Sequence, residues 1–554
     1  MGYAILLRPD GTIHSFVCLK QDEVRENKTV FSPARLYAPT PVVRSSGIQP
    51  NFLCDTAAYL LGCSTTDKKA LQKFAAAKEL HLNVLAGAAS PAADTVRRFF
   101  ERHTPGTAAV LGIPDDMAAD LEKGATLTFA DEDGRRLMED TAVAVAWDAH
   151  YGGGENTVKR RCLVTGRTDQ IAILHDKIKG VPGAQSSGAS LVGFNAPAFT
   201  SYGHDGDQGL NAPVGRYAMN AYTAALNYLL ANRRGVRIGD TTVLSFMPGA
   251  DDAHANFFDA FLYGNDDEAV LASTIDRIRR GLPLDLPEET LRKPFCILGL
   301  APNAARLSVR FFYRDSFGVF LRNIAAHYER LSIEQPRGNR PYLTPYFLLL
   351  ETAPPNARDR AGAVSPLLAG ALLSAILNDW RYPESLYEAV LTRIRAEQDI
   401  TPGKAAIMKA YLLKNTDCET YKEVLAMALN EQSSNRAYVL GRLFAALENA
   451  QYNANKSSNL KQRYLSPASA TPGLVFPAML RMAVHHTEKS GNVADAKLIA
   501  ALMDKLEGGV PFPVRLNNTE QGLFFEGYYH QVRDKYRRME EAKQNKANNE
   551  EALS

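Results

Sequence analysis

The sequence predicts an α+β protein: a mixed α/β N-terminal domain with β-hairpins and a sheet over residues 1–360, followed by an all-α helical bundle over 361–554. Three observations carry this. Apolar and polar residues alternate around Pro9, Asp10 and Gly11 in YAILLRPDGTIHSFVCL, the pattern of two strands joined by a tight turn. TTVLSFMPG and FCILGLAPNAARLSVRFFYRDSF repeat it, the second around Pro302 and Asn303. From about Ser365 the chain becomes a succession of amphipathic helices joined by short loops, which implies an antiparallel bundle. A chain of 554 residues is too long for one compact core, so two or three domains are expected.

After the first hairpin, prolines at 39, 41 and 50 keep the chain out of regular structure. They hold Arg44, Ser45, Ser46, Gly47, Ile48, Gln49 and Asn51 in an extended loop ahead of a helix from about Asp55. An arginine and hydroxyls suit phosphates, Gln and Asn suit base edges, and Ile48 suits a wedge at a base step. The same residues also suit a loop that only caps the next helix. Amphipathic helices from Lys68 to Asn83 and from Ala92 to His103, with a hairpin around Asp133 and Gly134, complete the N-terminal α/β region.

Gly152, Gly153 and Gly154 lack the Gly-Lys-Ser/Thr ending of a phosphate loop and read as a turn. Cys162 and His175 fall short of the three or four ligands zinc takes, and read as a buried cysteine in a strand and a hydrogen-bonded histidine. Lys159, Arg160, Arg161, Lys177, Lys179, Arg216, Arg233 and Arg234 concentrate positive charge suited to a nucleic-acid backbone or a displaced strand. Within that region, seven glycines between Gly180 and Gly209 alternate with Gln185, Ser186, Ser187, Asn195, Gln208 and Asn211. A permissive backbone there presents uncharged donors and acceptors, the chemistry of base-edge contacts. Phe194, Phe199 and Tyr202 either stack on unpaired bases, worth roughly 1–3 kcal/mol per base, or pin the loop as core. After Pro213, Tyr217, Tyr222, Ala225, Leu226, Leu229 and Leu230 share one helix face, and Asn232 to Gly235 end the helix.

Charge and cysteines narrow the classes. A net charge of +2 neither demands nor excludes nucleic acid, because binding depends on local basic surface. Asp251, Asp252, Asp259, Asp266, Asp267 and Glu268 form an acidic block, and Arg306, Arg310 and Arg314 read as a stripe on one side of a strand, either for RNA or for an internal salt-bridge ladder. Six scattered cysteines without a CxxC pair argue against a zinc ribbon or a disulfide framework and fit a reducing cytoplasm. MGYAILLRPDGTIHSF shows no basic run followed by an apolar signal core and no apolar stretch is long enough to span a bilayer, so secretion and membrane insertion are not expected. His204, Asp205 and Asp207 are the one arrangement that suits magnesium and a nuclease. A surface turn is the plainer reading, and neither a cofactor nor a resident metal is expected.

Several long phrases give the chain a family. RSSGIQPNFLCDTAAYLLG, IKGVPGAQSSGASLVGFNAPAFTSYG, NAPVGRYAMNAYTAALNYLL, LGLAPNAARLSVRFFYRDSFG, YVLGRLFAALENAQ and RYLSPASATPGLVFPAML together resemble the large subunit of the type I-C CRISPR surveillance complex, the Csd-type subunit of Cascade. The resemblance implies a non-enzymatic subunit that reads the protospacer-adjacent motif (PAM) of target double-stranded DNA, helps to open the duplex, stabilises the R-loop and recruits the helicase-nuclease. Its partners would be CRISPR RNA, the Cascade backbone subunits, an RNA-processing end-cap subunit and a small subunit. Type I-C small subunits arise from an internal translation start, for which Met408 and Met427 are candidates. The resemblance also implies a short helical lead before the first hairpin, whereas this sequence enters that hairpin almost at once. A purely structural scaffold is the remaining alternative.

Overall fold

The computed structural model describes residues 1–25, 28–34, 36, 38–39, 41–42, 47–151, 158–194, 196–200, 208–233, 236–248, 257–258, 260–262, 268–280, 287–336 and 342–553. The chain divides into two compact units. One comprises Met1–Asp176 and Val192–Ala225, the other Lys177–Leu191 and Leu226–Ser554.

The first unit starts with the expected hairpin: β1 (Tyr3–Leu7) and β2 (Ile13–Cys18) pair antiparallel. Its turn needs Gly11, which sits at φ +85°, where an added Cβ would lie 2.4 Å from the Phe99 backbone nitrogen. A second hairpin, β3 (Gln21–Arg25) and β4 (Lys28–Ser32), follows. The main sheet is completed by β5 (Cys54–Thr56) and β6 (Thr126–Asp131) in the order β2-β1-β6-β5, with β6 parallel to β1. Both flanks of β6 are therefore occupied. The hairpin expected around Gly134 does not form; one bridge from Ala130 to Arg136 and a 3₁₀ turn at Leu137–Glu139 take its place.

Helices at Ala70–Leu85, Pro91–Arg102 and Thr141–Tyr151 accompany this sheet. The second begins as its sequence dictates, with Ser90 accepting from the Ala93 N–H and Pro91 in the first turn. Ile5, Leu127, Phe129, Phe99, Phe100 and Phe74 form the centre of the core. Further along, β7 (Lys159–Arg161) pairs with β8 (Thr168–Gln170), and a small core of Cys162, Ala172, Val214, Ala218 and Met219 lies under this hairpin. The helix after Pro213 runs Arg216–Arg233. Its buried face is set by Ala218, Met219, Thr223, Leu226 and Leu230, whereas Tyr217 and Ala225, expected on that face, are exposed. The register is rotated because Met219 and Ala218 fill the pocket beside Cys162.

In the second unit β9 (Val236–Ile238), β10 (Thr241–Phe246), β11 (Pro294–Asn303) and β12 (Arg306–Ser316) form an antiparallel sheet in the order β12-β11-β10-β9. One face, with Val243, Phe295, Ile297 and Phe311, joins an apolar cluster that continues through the helices Phe317–Leu331, Pro366–Leu377, Glu384–Glu397, Pro402–Asn415 and Arg436–Asn455 to Tyr529. The core is thus continuous across the 360/361 boundary read from the sequence. Helix Arg436–Asn455 is buried over most of its circumference and crosses helix Asn518–Leu553 at two glycines. A Cβ on Gly441 would lie 1.8 Å from the Phe524 carbonyl oxygen, and one on Gly527 would lie 2.1 Å from that of Tyr438.

Two further expectations are corrected here. Arg306, Arg310 and Arg314 do not share a side of β12, because the ladder slips between Gly299 and Leu300 and leaves Arg310 in a bulge. Beyond the bulge the alternation inverts, so Leu307 and Val309 face with Phe312 and Arg314. The helix expected from Cys418 to Glu431 stops at Tyr421. Asn430 takes up the Glu423 carbonyl with its side-chain amide, a local bond that competes with a helical one. Among the described residues no helix is long and apolar enough to cross a membrane.

Candidate nucleic-acid interface

Within the second unit, residues 177–191 form a strap pinched shut at its base. Ile178 and Ala189 exchange both backbone hydrogen bonds at 2.9 Å, and the Gly188 N–H closes a turn on the Gln185 carbonyl at 2.9 Å. Gly188 sits at φ +98°, and a Cβ there would meet Lys177 Cβ at 2.9 Å and the Ile178 oxygen at 3.0 Å, so the pinch requires glycine. Asn227 clamps the base from its helix: its Oδ1 accepts from the Lys179 N–H at 2.8 Å and its Nδ2 donates to the Lys177 carbonyl at 3.1 Å. The tip is fixed to the β11–β12 turn through Gln185 N–H to the Ala304 carbonyl, and the return leg through Ser190 N–H to that of Ala305 and Leu307 N–H back to Ser190. Ile178, Val181 and Ala189 are buried. Gln185, Ser186, Ser187, Lys177 and Lys179 are all exposed. The backbone is thus anchored while its uncharged and cationic side chains remain available to a ligand.

The first unit carries the other predicted loop. Gln49 is exposed and its N–H donates to the Tyr59 hydroxyl at 3.4 Å. Asn51 is used by the fold: Oδ1 accepts from the Val42 N–H at 2.8 Å, and its own N–H donates to Asp55 Oδ2 at 2.8 Å. Ile48 is half-buried against the core and does not project as a wedge. The loop enters the sheet through Leu53, at φ +60°, whose N–H donates to His81 Nε2 at 2.8 Å while His81 Nδ1 donates to the Ala77 carbonyl at 2.6 Å. His81 is stacked between Phe52 and Phe100, and burial pushes its pKa down to about 4, so the ring is neutral.

Lys159, Arg160 and Arg161 are exposed on β7, with Arg161 Nε donating to the Gly166 carbonyl at 3.0 Å. The hairpin tip beyond them exposes Leu163 and Val164. Cys162 is buried just past the strand, its Sγ accepting from the Val164 and Thr165 N–H groups at 3.4 and 3.5 Å. His175 Nδ1 is 2.5 Å from the Tyr222 hydroxyl, as a hydrogen-bonded histidine should be. Arg216 is half-buried and donates to Gln170 Oε1 at 3.3 Å. Asn211 is half-buried at the end of the 3₁₀ turn Gln208–Asn211, which also holds Gln208. Phe199 is exposed and Phe194 half-buried.

Arg44, Ser45, Ser46, Asn195, Tyr202 and Arg234 lie outside the described residues, as do His204, Asp205 and Asp207; Arg233 is described only as part of its helix. Among the described residues no group of three or more His, Cys, Asp and Glu side chains is placed to hold a metal ion. The apolar pair Val309 and Phe312 on β12 escaped the sequence reading, because only the bulge at Arg310 puts both on one face.

The family model described as CRISPR-associated protein (Cas_Csd1) matches residues 1–536. No curated protein matches the sequence.

Proposed function

We propose, from the premise that the chain belongs to the Cas_Csd1 family of CRISPR-associated proteins, that it is the target-DNA recognition subunit of a type I-C CRISPR ribonucleoprotein and acts without catalysis of its own. Guide pairing supplies most of the sequence specificity in such a complex, and the protein reads a short duplex segment and the backbone. In this reading the chain contacts the PAM, helps to open the duplex, guides the displaced strand and presents a docking surface to the helicase-nuclease. Its neighbours are CRISPR RNA, the backbone subunits, the end-cap subunit and the small subunit.

The observation that supports the reading best is the strap tip. Gln185, Ser186 and Ser187 are exposed on a backbone held to Ala304 and Ala305, beside two exposed lysines and with no acidic residue between 177 and 191. An amide and hydroxyls on an anchored backbone suit base edges, and the lysines suit phosphates. Binding of PAM-containing and PAM-scrambled duplexes by the assembled complex tests it. Gln185→Ala is expected to lose roughly 5- to 150-fold of the preference for the PAM duplex, the equivalent of about 1–3 kcal/mol for a base contact, with the salt dependence unchanged. Lys177→Ala with Lys179→Ala should weaken both duplexes alike and flatten the salt slope. Unaltered binding in all variants points to a scaffold. Magnesium-dependent cleavage by the isolated chain, lost in Asp205→Ala, points to a nuclease.

A further inference from the structure

The outer strand of the second unit's sheet carries a surface that the strap does not explain. Because of the bulge at Arg310, Leu307, Val309, Phe312 and Arg314 follow one another on the same face of β12. Their cross-strand partners on β11 are Pro302, Leu300, Leu298 and Cys296. Towards the strap this face is closed, with Leu307 and Leu300 buried and Leu307 N–H bonded to Ser190. Further along it opens: Val309 is 50% and Phe312 53% exposed, and Arg314 beyond them is exposed. β12 is also the last strand in the sheet order.

Burying a phenylalanine side chain stabilises a fold by about 1.5–3 kcal/mol, and this one is left half in water beside a second apolar side chain. The surrounding charge is positive. On this face β12 contributes Arg314; Arg306 and the strand's one carboxylate, Asp315, alternate to the opposite face, and Arg310, in the bulge, is paired with Asp240 at 2.9 Å. The neighbouring strap adds Lys177 and Lys179 and no acid. An aromatic ring on an open sheet face, flanked by a methyl-bearing side chain and a guanidinium group, has the chemistry of a platform for unpaired nucleotides, since every base offers a π-face and every phosphate a charge.

We infer that the Val309–Phe312–Arg314 strip of β12 binds single-stranded nucleic acid, with Phe312 stacking a base, Val309 packing against its neighbour and Arg314 holding a phosphate. This rests on the reading of the chain as a nucleic-acid-binding subunit and adds to it a site for unpaired strands that is indifferent to base sequence. A protein strand adding to the edge of β12 is the competing occupant, but it would use backbone groups and has no call on an exposed arginine beside an exposed ring.

The test is fluorescence anisotropy of the full-length chain with labelled dT15 and, separately, rU15, which distinguishes a DNA from an RNA strand. Phe312→Ala is expected to weaken at least one of them by roughly 5- to 150-fold, the equivalent of about 1–3 kcal/mol per stacked base. Phe312→Leu should weaken it comparably and Phe312→Tyr should restore it. Arg314→Gln should lower the slope of log affinity against log salt by about 0.7. Because Phe312 is half exposed, the melting temperature should hold in all variants. Failure of the wild-type chain to bind either strand, Phe312→Ala binding within twofold of wild type, or Phe312→Leu binding as well as Phe312→Tyr would overturn the inference. So would intact strand binding with lost assembly of the complex, which would assign the strip to a protein neighbour. PAM discrimination measured in parallel on duplexes separates the two claims: its persistence alongside an indifferent Phe312→Ala sinks only the strip, and its absence alongside a Phe312-dependent strand affinity sinks only PAM reading.

Discussion

Replacing His81 with phenylalanine probes how the first unit holds the bend between the polar loop and its sheet. Phenylalanine preserves a ring between Phe52 and Phe100, whose centroids lie 5.0 and 4.3 Å from that of His81. It removes the acceptor for the buried Leu53 N–H and the donor to Ala77. An unsatisfied buried N–H costs about 1–3 kcal/mol, and Leu53 already holds a left-handed conformation that costs a non-glycine residue about 1–2 kcal/mol. His81→Phe is therefore expected to destabilise the unit by about 2 kcal/mol at pH 7. Acid should erase the difference. Burial keeps the folded-state pKa near 4 against 6.5 for an ordinary histidine, so between those values the unfolded chain binds a proton that the folded chain refuses. Stability contributed by the neutral ring is complete above about pH 6.5 and drains away as the pH falls through about 4. Moving from pH 7 to pH 5 should close the gap between the two proteins by about 2 kcal/mol, at about 1.4 kcal/mol per pH unit. The chain has two tryptophans, and Trp147 stacks on Phe52 at 4.8 Å. In a Trp380→Phe background its fluorescence in urea titrations reports this unit. Equal midpoints at pH 7, or a gap unaffected by pH, would refute the account of His81 as a neutral clamp.

Two other perturbations address the helical region. Gly441→Ala sets a methyl group 1.8 Å from the Phe524 carbonyl oxygen; the atoms it meets belong to the backbone of the facing helix, so the helices must part, and thermal melts by circular dichroism should show a loss of about 3 kcal/mol or more, as for severe overpacking. Glu526 is fully buried, and burial lifts its pKa to about 8 although the charge of Lys409 opposes the shift. A folded-state pKa raised in this way gives stability that is complete at acid pH and is lost as the pH rises towards and through about 8. Glu526→Gln should therefore flatten the decline between pH 6 and 9 in urea titrations, and a slope identical to that of wild type would contradict it.

Local signals carried much of the architecture. Pro9-Asp10-Gly11 locates the first hairpin, Pro302 and Asn303 the second long one, and the helices after Ser365, apart from the one that stops at Tyr421, follow their apolar spacing because each needs only its own period to be recognised. What escaped depends on partners distant in sequence. The parallel pairing of β6 with β1 cancels the hairpin that Gly134 alone suggests. The bulge at Arg310 is set by the cross-strand fit of Phe311 over Gly299, whose added Cβ would lie 2.6 Å from the ring. In the candidate site, composition identified the exposed Gln185–Ser187 tip, yet could not separate Gln49, whose side chain faces solvent, from Asn51, whose carbonyl oxygen braces Val42. Both residues offer the same donors and acceptors, and only the fold decides which side chain is exposed and which braces the loop.

The membership of the strap has a practical consequence for anyone dividing this protein. Residues 177–191 count with the C-terminal unit while the residues on either side, up to 176 and from 192 to 225, count with the N-terminal one. The polypeptide changes allegiance at three junctions, the last of them inside helix Arg216–Arg233. No single cut yields either half by itself: a fragment ending at 176 forfeits the small core's Val214, Ala218 and Met219, one beginning at 226 forfeits the segment that engages Leu307, and those ending at 225 or beginning at 177 carry a piece of the other half with them. Isolating a half without residues of the other calls for a grafted or permuted chain, and a deletion endpoint set between the first junction and the last will disturb folding where it was meant to report binding.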